Sequence, residues 1–393
     1  MSADPIHYKS IIELSGLFRR GELLPSKVTE AMLDRIAKLD GKFHGYALVL
    51  AERAMAQAKR CDAELARGIW RGPLHGVPIG LKDLCYTSFA PTAGGTTIHA
   101  RFVPSFNATI VDRLELAGAV TLGKLKMTEG AYTSHHPDDQ APLNPWGVDY
   151  WVGSSSSGSG VATSAGLCFG SIGSDTGGSI RFPSATCGLT GIKPTWGRVS
   201  RHGIFPLADS LDHVGPMARS VADVAIMLDA IAGRDPKDPT SLEAPAPQAF
   251  KSLTGGIRGV RIGLDRDYAL QGIDSGQAAA IDRALQVLQG WATLTNGDLL
   301  AAAEAEGFDV LVTRQEPALS AEPDGQTPRR RGHRACAVAR SRTSRRPGGG
   351  GNRPGCRWKL RGSRNTSGLT SGQPRGSGLR TLLGSPDWSR RYS

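Results

Sequence analysis

Apolar residues recur at helical spacing through the first 70 residues of the chain. Two sets of them lie three or four positions apart and predict two helices, which Pro25-Ser26 separates. The sets are Ile11, Leu14 and Phe18, followed by Val28, Met32 and Ile36. A short apolar run, Tyr46–Leu50, predicts a strand, and the alanine-rich stretch Ala51–Arg67 predicts a further helix. We therefore expect residues 1–70 to be an N-terminal, largely helical segment of the first domain.

Strand and helix patterns then alternate. The runs GVPIGL, which ends before Lys82, and AVTLGK (119–124) predict buried strands, and VRIGL (260–264) predicts another. Helical patterns occupy Ile110–Ala117, the small-residue stretch 161–169, the amphipathic stretch Val221–Ala232, and Ala278–Leu288. Strands alternating with helices are typical of a layered α/β domain. We expect this core to span residues 71–290.

The composition changes abruptly near the end of the chain. Residues 314–393 lose periodicity and are rich in Arg, Gly, Ser and Pro, which predicts a disordered tail. Residues 321–393 hold 17 Lys and Arg against 3 acidic residues, whereas residues 1–320 hold 30 against 33. The net charge of +11 therefore belongs to the tail. For the body of the protein, the charge gives no reason to expect specific binding to nucleic acid.

Cysteine spacing and the lengths of the apolar runs exclude several further classes of protein. The six cysteines form no CxxC pair and lack a histidine-rich companion motif, so we predict neither a metal site nor a disulfide framework. The first residues lack the pattern of a secretory signal, and no run reaches the roughly 18 apolar residues of a spanning helix. We expect a protein of the reducing cytoplasm that does not enter a membrane.

Two glycine-framed serine clusters and one lysine carry the candidate chemistry. The clusters are GSSSSGSG (153–160) and GSDTGGSI (173–180), and their members Ser155 and Ser179 are 24 residues apart. A serine nucleophile needs a base and a group of donors that stabilises the oxyanion. Consecutive N–H groups from Thr176 to Ser179 could supply those donors. Lys82, at the end of an apolar run, could be a neutral base if burial lowers its pKa.

Other interpretations of these motifs remain. A lone Ser/Gly run is often a flexible loop, and a lone lysine is often a surface residue. The second cluster lacks the spacing of both common phosphate-binding loops, GxxxxGK[ST] and GxGxxG. The chain also lacks the GxSxG elbow of the α/β-hydrolases, and none of its histidines stands in a context that marks a base. The three features together, in this order, favour catalysis.

The combination resembles the amidase signature family of Ser-cisSer-Lys amide hydrolases, over roughly residues 8–290 and most densely over 74–230. The resemblance implies that Lys82 is the base, that Ser155 is a bridging serine held by a cis peptide, and that Ser179 is the acylated nucleophile. It further implies an oxyanion loop and two residues that brace this loop, for which an ordinary loop ion pair is the alternative. The loop residues are Thr176, Gly177 and Gly178, and the bracing residues are Asp175 and Arg181.

The resemblance also implies the fold and the reaction. We expect the amidase signature fold, a mixed central β-sheet with helices on both faces. The expected reaction hydrolyses a small carboxylic amide without a cofactor or metal. The segment before the first serine cluster is expected to line the acyl pocket, although its aromatic residues could equally belong to the core. The pocket candidates are Met127, Tyr132, Trp146 and Tyr150.

Relatives in this family continue well beyond the position of Leu288, so we expect a chain that is truncated or frame-shifted after about residue 290. Residues 291–313 weakly resemble a strand–helix piece of PIN-like proteins and are expected to be unrelated to the amidase core. Two other functions stay open. One is the glutaminase-type component of a tRNA-dependent amidotransferase, which would need partner subunits, and the other is an inactive fragment with a non-specific basic tail. A homodimer is a further expectation.

Overall fold

The computed structural model describes residues 5–132, 134–264, 266, 270–289, 293–296 and 310–312. The predicted disordered tail, 314–393, lies outside the described residues, as does most of the segment 291–313. The helices are α1 (Ile11–Arg19), α2 (Pro25–Phe43), α3 (Ala51–Ala66), α4 (Thr109–Leu116), α5 (Ser157–Ser164), α6 (Arg181–Thr186), α7 (Val221–Ile231), α8 (Ala249–Ser252) and α9 (Ser275–Gln289). Short 3-10 turns occupy Ile6–Tyr8, Glu129–Ala131 and Leu253–Gly255.

A six-stranded mixed sheet is the centre of the fold. Its strands are β1 (Tyr46–Val49), β2 (Pro78–Lys82), β3 (Val120–Leu125), β4 (Gly170–Asp175), β5 (Thr190–Gly191) and β6 (His213–Ala218). Their order is β1-β3-β2-β4-β6-β5. The three central strands β3, β2 and β4 are parallel, whereas β1, β6 and β5 join antiparallel to their neighbours. Every residue of these three central strands is buried, as is typical of parallel strands covered on both faces.

Helices flank both faces of this sheet, which confirms the predicted fold class. Helix α3 packs on β3, α5 packs on β4 and β2, and α7 packs on β6. Helix α1 begins with a capping box in which the Ser10 hydroxyl accepts from the Glu13 N–H and the Glu13 carboxylate accepts from the Ser10 N–H. Helix α2 begins at Pro25, a residue suited to the first helical position because it lacks an N–H. The periodic apolar residues of both helices are buried, as their amphipathic pattern predicts.

The region between the two serine clusters differs from its sequence prediction. The pattern of 161–169 predicts one buried helix, but α5 ends at Ser164. Gly166 adopts a φ of +67°, and the Leu167 N–H donates to the Ala162 carbonyl at 2.8 Å, as in a glycine-terminated helix. The chain then enters β4, whose Gly/Ser-rich sequence has no strand signal. Pairing with β2 on one side and β6 on the other makes it a strand.

A separate three-stranded parallel sheet follows. Strand β7 (Arg261–Leu264) is its central strand, with β8 (Thr293–Asn296) and β9 (Val310–Val312) on its two sides. Both outer strands come from the segment 291–313, for which no relation to the core is expected from the sequence. Within the described residues, this segment therefore pairs with a strand that is predicted as part of the core.

Candidate active site

The lysine that the sequence analysis predicts as a base is completely buried. Lys82 is the last residue of β2, and none of its surface is exposed. Its Nζ lies 2.6 Å from Ser155 Oγ and 2.8 Å from Ser174 Oγ. Burial lowers the pKa of this lysine from 10.5 to about 7, and nearby acidic groups oppose that decrease only in part. A large fraction of Lys82 is therefore uncharged at neutral pH.

Ser174 is a contact that sequence reasoning missed. An uncharged amine has one lone pair, and it can donate to one hydroxyl while accepting from another. The arrangement lets Lys82 donate to Ser174 Oγ and turn its lone pair towards Ser155 Oγ. Ser174 precedes Asp175 in β4 and pairs across the sheet with Val214. The only sequence signal for it is its position within the second serine cluster.

Ser155 lies two residues before the start of α5 and is fully buried. The peptide bond between Ser154 and Ser155 is cis, and the Ser155 carbonyl accepts from the Thr128 N–H at 3.1 Å. Gly153, just before it, has a φ of +76°, and a Cβ there would lie 2.4 Å from the Pro183 nitrogen. The glycine frame of this cluster is thus a steric requirement of the close approach to α6.

The second cluster spans the end of β4 and the loop between β4 and α6, and this loop carries Ser179. The Ser179 carbonyl accepts from the Ser156 N–H at 3.3 Å, so the two clusters lie side by side. The side chain of Ser156 also bonds the backbone of Ser174 on β4, at 3.2 and 3.3 Å. Ser179 is half-buried, and its hydroxyl has no hydrogen-bond partner within the part of the chain that the structure describes. An accessible hydroxyl beside a buried serine–lysine pair suits a nucleophile.

The carboxylate of Asp175 holds this loop in place through hydrogen bonds. Its fully buried carboxylate accepts from Arg181 Nε at 3.0 Å and Arg181 Nη2 at 2.8 Å. It also accepts from the backbone N–H groups of Gly178 at 2.8 Å and Ile180 at 3.1 Å. Burial alone would raise the pKa of Asp175, but the hydrogen bonds and charge of Arg181 outweigh it and lower the pKa. The two residues therefore brace the loop as an ionised, bidentate pair.

The hydrogen bonds of Asp175 correct one part of the predicted oxyanion loop. The Gly178 N–H points to Asp175, so it is not available to an oxyanion in this conformation. Gly178 has a φ of +137°, whereas Gly177 has no positive φ, so only one of the two glycines needs its conformational freedom. For Thr176, Gly177 and Ser179 the assignment as oxyanion donors stays a prediction. Thr176 is fixed through its hydroxyl, which donates to Asp212 Oδ1 at 2.5 Å.

The predicted pocket residues do not form one pocket. Met127 is buried, with 1% of its surface exposed, and lines a small cavity of about 190 Å³. Tyr132, Trp146 and Tyr150 are instead 71%, 70% and 67% exposed and do not line that cavity, so their assignment to an acyl pocket stays a prediction. Aromatic character in a loop shows neither burial nor a shared orientation, because both depend on tertiary contacts.

A second buried lysine lies beside the first on the neighbouring strand. Lys124 of β3 is fully buried, and its Nζ is 2.9 Å from Asp83 Oδ1 and 2.7 Å from Thr92 Oγ1. Burial raises the pKa of Asp83, although the ion pair with Lys124 opposes that effect. In contrast to Lys82, this lysine has a direct carboxylate partner. It therefore fixes the loop that follows β2 and is a poor candidate for a base.

A contact between a histidine and a lysine lies next to Asp175, on the neighbouring strand β6. His213 pairs across the sheet with Asp175, and its Nδ1 is 2.6 Å from the Leu211 carbonyl. Because a carbonyl only accepts, Nδ1 carries the proton and Nε2 is left to accept from Lys193 Nζ at 3.1 Å. Burial lowers the pKa of both side chains. The contact gives the backbone around Asp175 a further polar support that the sequence did not reveal.

Among the described residues, one group has donor atoms close enough together for a metal: Cys61, Glu64 and His75. The His75 Nδ1 accepts from the Arg71 N–H at 3.1 Å, so its proton lies on Nε2, which faces Glu64 at 3.1 Å. The Glu64 carboxylate also accepts from Arg71 Nε at 2.8 Å. A metal would need the histidine lone pair that this tautomer does not offer, so the group is an internal polar cluster.

The described residues thus bring a completely buried lysine–serine pair and a glycine-rich serine loop together on a mixed α/β sheet. The family model described as Amidase matches residues 27–295, and the chain belongs to the amidase family. This match confirms the resemblance inferred from the two serine clusters and Lys82. Within the described residues, no helix is long and apolar enough to span a bilayer.

Three relatives illustrate the relationship. The protein named amidase AmiD in Mycobacterium tuberculosis is 55% identical over 265 residues, which are 67% of this chain and 56% of that protein. A glutamyl-tRNA(Gln) amidotransferase component from Chloroflexus aggregans is 42% identical over 286 residues, 72% of this chain and 59% of that one. The peptide amidase of Stenotrophomonas maltophilia is 36% identical with a TM-score of 0.69, over 77% of this chain and 65% of that structure. The chain thus spans less than two thirds of the length of each of these relatives.

Proposed function

We propose that this chain hydrolyses a carboxylic amide to an acid and an amine or ammonia through an acyl-enzyme on Ser179. The observation that carries the proposal is the completely buried Lys82, 2.6 Å from Ser155 Oγ, with a pKa of about 7. A buried lysine without a carboxylate partner is costly to keep unless its uncharged form has a task. Membership of the amidase family supports the same reaction.

Acylation proceeds through a proton relay. Lys82 takes the proton of Ser155, which takes the proton of Ser179 as the Ser179 oxygen bonds to the amide carbon. The carbonyl oxygen becomes an oxyanion, which N–H groups of the loop that carries Ser179 stabilise. The C–N bond then breaks, and the relay returns its proton to the departing nitrogen. An ester on Ser179 and a free amine remain.

Deacylation uses the same groups in reverse order. A water molecule loses its proton to the relay and attacks the ester carbon, and the second oxyanion occupies the same donors. The C–O bond to Ser179 breaks as the serine oxygen recovers a proton. The sum is one amide and one water converted to one acid and one amine. In these steps Lys82 and Ser155 transfer the protons, Ser179 is the first nucleophile and water is the second.

A second function is favoured by one comparison. The relative from Chloroflexus aggregans is named as part of a glutamyl-tRNA(Gln) amidotransferase. If this chain shares that role, glutamine is its amide, ammonia is its product, and partner subunits carry the remaining steps. Ammonia release from glutamine, compared with release from simple aliphatic amides, distinguishes the two functions. A cytoplasmic location and a homodimer stay predictions.

The test is active-site labelling of the full-length chain with a fluorophosphonate, followed by peptide mapping. We expect one adduct, on Ser179, which is absent in Ser179→Ala and strongly slowed in Lys82→Met. Ser159→Ala is a matched control, because Ser159 is buried and donates to the Ile172 carbonyl within the helix–strand packing. An adduct on another serine would contradict the assignment of the nucleophile. A folded protein without any adduct would support the inactive-fragment interpretation.

A further inference from the structure

The chain segment that follows β3 holds one side of the first serine cluster. The Thr128 N–H donates to the Ser155 carbonyl at 3.1 Å, and the Gly158 N–H donates to the Lys126 carbonyl at 2.9 Å. The two backbones are in close contact, because a Cβ on Gly158 would lie 2.5 Å from the Lys126 nitrogen. A shift of residues 126–128 would therefore move the backbone that carries Ser155.

A side-chain contact adds to these backbone bonds. Ser157, the first residue of α5, is fully buried, and its Oγ lies 3.0 Å from His135 Nε2. Within the part of the chain that the structure describes, this is the one hydrogen bond shown for the Ser157 hydroxyl. Because Ser157 has no exposed surface, it cannot attack a substrate, and His135 is not the base of a second nucleophile. The contact must have another task or be purely structural.

The surroundings of His135 decide which of its ring nitrogens carries the proton. Its Nδ1 is buried and faces Asp139 Oδ2 at 3.8 Å. A carboxylate attracts an N–H group and repels a lone pair, so the proton lies on Nδ1 and Nε2 accepts from the Ser157 hydroxyl. Burial and the charge of Lys126 lower the pKa of His135, and Asp139 opposes them only in part. The ring is therefore uncharged at neutral pH and presents an acceptor to Ser157.

The same contacts fix the position of the ring. Lys126 Nζ forms an ion pair with Asp139 Oδ1, and Asp139 faces His135. His135 accepts from Ser157, and the next residue, Gly158, donates to the Lys126 carbonyl. The contacts thus form a closed circuit that joins the segment after β3 to the start of α5. Within this circuit, His135 supplies the link between two side chains that are far apart in the sequence.

We propose that His135 is a positioning residue of the proton relay. By accepting from Ser157 it fixes the start of α5, and so it keeps Ser155 Oγ within hydrogen-bond distance of Lys82 Nζ. This inference rests on the proposed amidase function, because the relay is part of that function. His135 itself touches neither reacting group and acts through the two residues that separate Ser155 from Ser157. A misplacement of about 1 Å in such a relay can cost about a hundredfold in rate.

The rate of fluorophosphonate labelling at increasing probe concentration tests the proposal, because it separates probe binding from the reaction of Ser179. In His135→Leu, the maximal rate constant should fall by about ten- to a hundredfold, whereas the probe concentration that gives half of that rate should not change. His135→Gln retains an acceptor at nearly the position of Nε2, and its rate constant should stay within about threefold of wild type. Urea unfolding of each variant identifies any loss of fold, which reduces the fraction of protein that reacts and leaves the rate constant of the folded fraction unchanged.

A matched pair of serine variants tests the other side of the contact. Ser157→Ala removes only the hydroxyl that His135 accepts from, and it should slow labelling as much as His135→Leu does. The double variant should be no slower than either single variant, because all three lack the same hydrogen bond. Ser159→Ala is the control, since Ser159 is buried in the same helix and donates to the Ile172 carbonyl at 3.0 Å. Its rate constant should equal that of wild type.

The outcomes separate the positioning role from the reaction. A folded His135→Leu protein that reacts at the wild-type rate, or a His135→Gln protein as slow as His135→Leu, would leave the amidase function and overturn the positioning role. A folded wild-type protein that never reacts at Ser179 would overturn the reaction itself. NMR of protein labelled with 15N in the histidine rings does not depend on catalysis: the signals that His135→Gln removes should show the proton on Nδ1 at neutral pH. A proton on Nε2 would overturn the assignment of His135 as an acceptor.

Discussion

Replacing Lys82 by methionine tests the central physical claim, that this lysine is held uncharged by burial. Methionine has nearly the same length and apolar stem but cannot be protonated. In wild type, the unfolded chain binds a proton at this lysine below pH 10.5, whereas the folded chain binds it only below about pH 7. Because the unfolded state binds more protons between these values, stability rises with pH across that window.

The size of this effect follows from the pKa values. A decrease from 10.5 to about 7 lowers the free energy of unfolding at pH 7 by about 4 kcal/mol, relative to a lysine that stays uncharged in both states. Methionine removes that loss, but it leaves the hydroxyls of Ser155 and Ser174 without their partner. Each unsatisfied buried hydroxyl costs on the order of 1–3 kcal/mol, so the two together cost about 2–6 kcal/mol. At pH 7 the two effects therefore largely offset each other, and the free energy of unfolding of the variant should lie within about 2 kcal/mol of the wild-type value.

The difference in stability should shift against the variant by about 3–4 kcal/mol between pH 7 and pH 10, because the protonation cost in wild type nearly vanishes while the lost hydrogen bonds of the variant remain. Urea unfolding of both proteins at pH 7 and pH 10 measures this difference directly. Lys38→Met, at an exposed lysine, is the control and should show no comparable shift with pH. Lys82→Met should meanwhile lose acylation by a fluorophosphonate. A variant that is destabilised equally at both pH values would refute a depressed pKa and the base assigned to Lys82.

Three further predictions follow from the described contacts. Wild-type kcat/KM should fall about tenfold per pH unit below pH 7, since the relay needs uncharged Lys82 with a pKa of about 7; a flat profile from pH 5 to 8 would contradict this. Gly153→Ala should lower the free energy of unfolding, measured with urea, by at least about 2 kcal/mol, because φ is positive and a Cβ would clash there. Gly177→Ala should keep wild-type stability, because a Cβ at this position meets open space and φ is not positive. Lys124→Met should lower the free energy of unfolding by about 3–5 kcal/mol, because it leaves Asp83 charged and buried without its partner. Adding Asp83→Leu should recover most of that stability. A double variant that is as unstable as Lys124→Met would exclude an ion-pair effect.

Local pattern was sufficient for the elements with strong periodicity. The helix Ala51–Ala66 and the strand Pro78–Lys82 lie within two residues of their predicted bounds. The helices Ile11–Arg19 and Pro25–Phe43 contain the periodic apolar residues from which they were predicted, although the second extends seven residues beyond Ile36. Their side-chain spacing and composition are local properties. Strand Gly170–Asp175 was missed because its Gly and Ser residues have low strand propensity, and only neighbours on both sides stabilise it.

The site shows the same division between local and long-range information. The sequence determined the amidase family, the two serine clusters and the lysine, because the glycine frames and the apolar run before Lys82 are local signals. Only the tertiary structure brought Lys82 into contact with Ser155 and Ser174, directed the Gly178 N–H to Asp175 and left the aromatic residues of the predicted pocket exposed. The physical reason is that hydrogen bonds, burial and pKa depend on which distant segments meet, and residue type alone does not specify those neighbours.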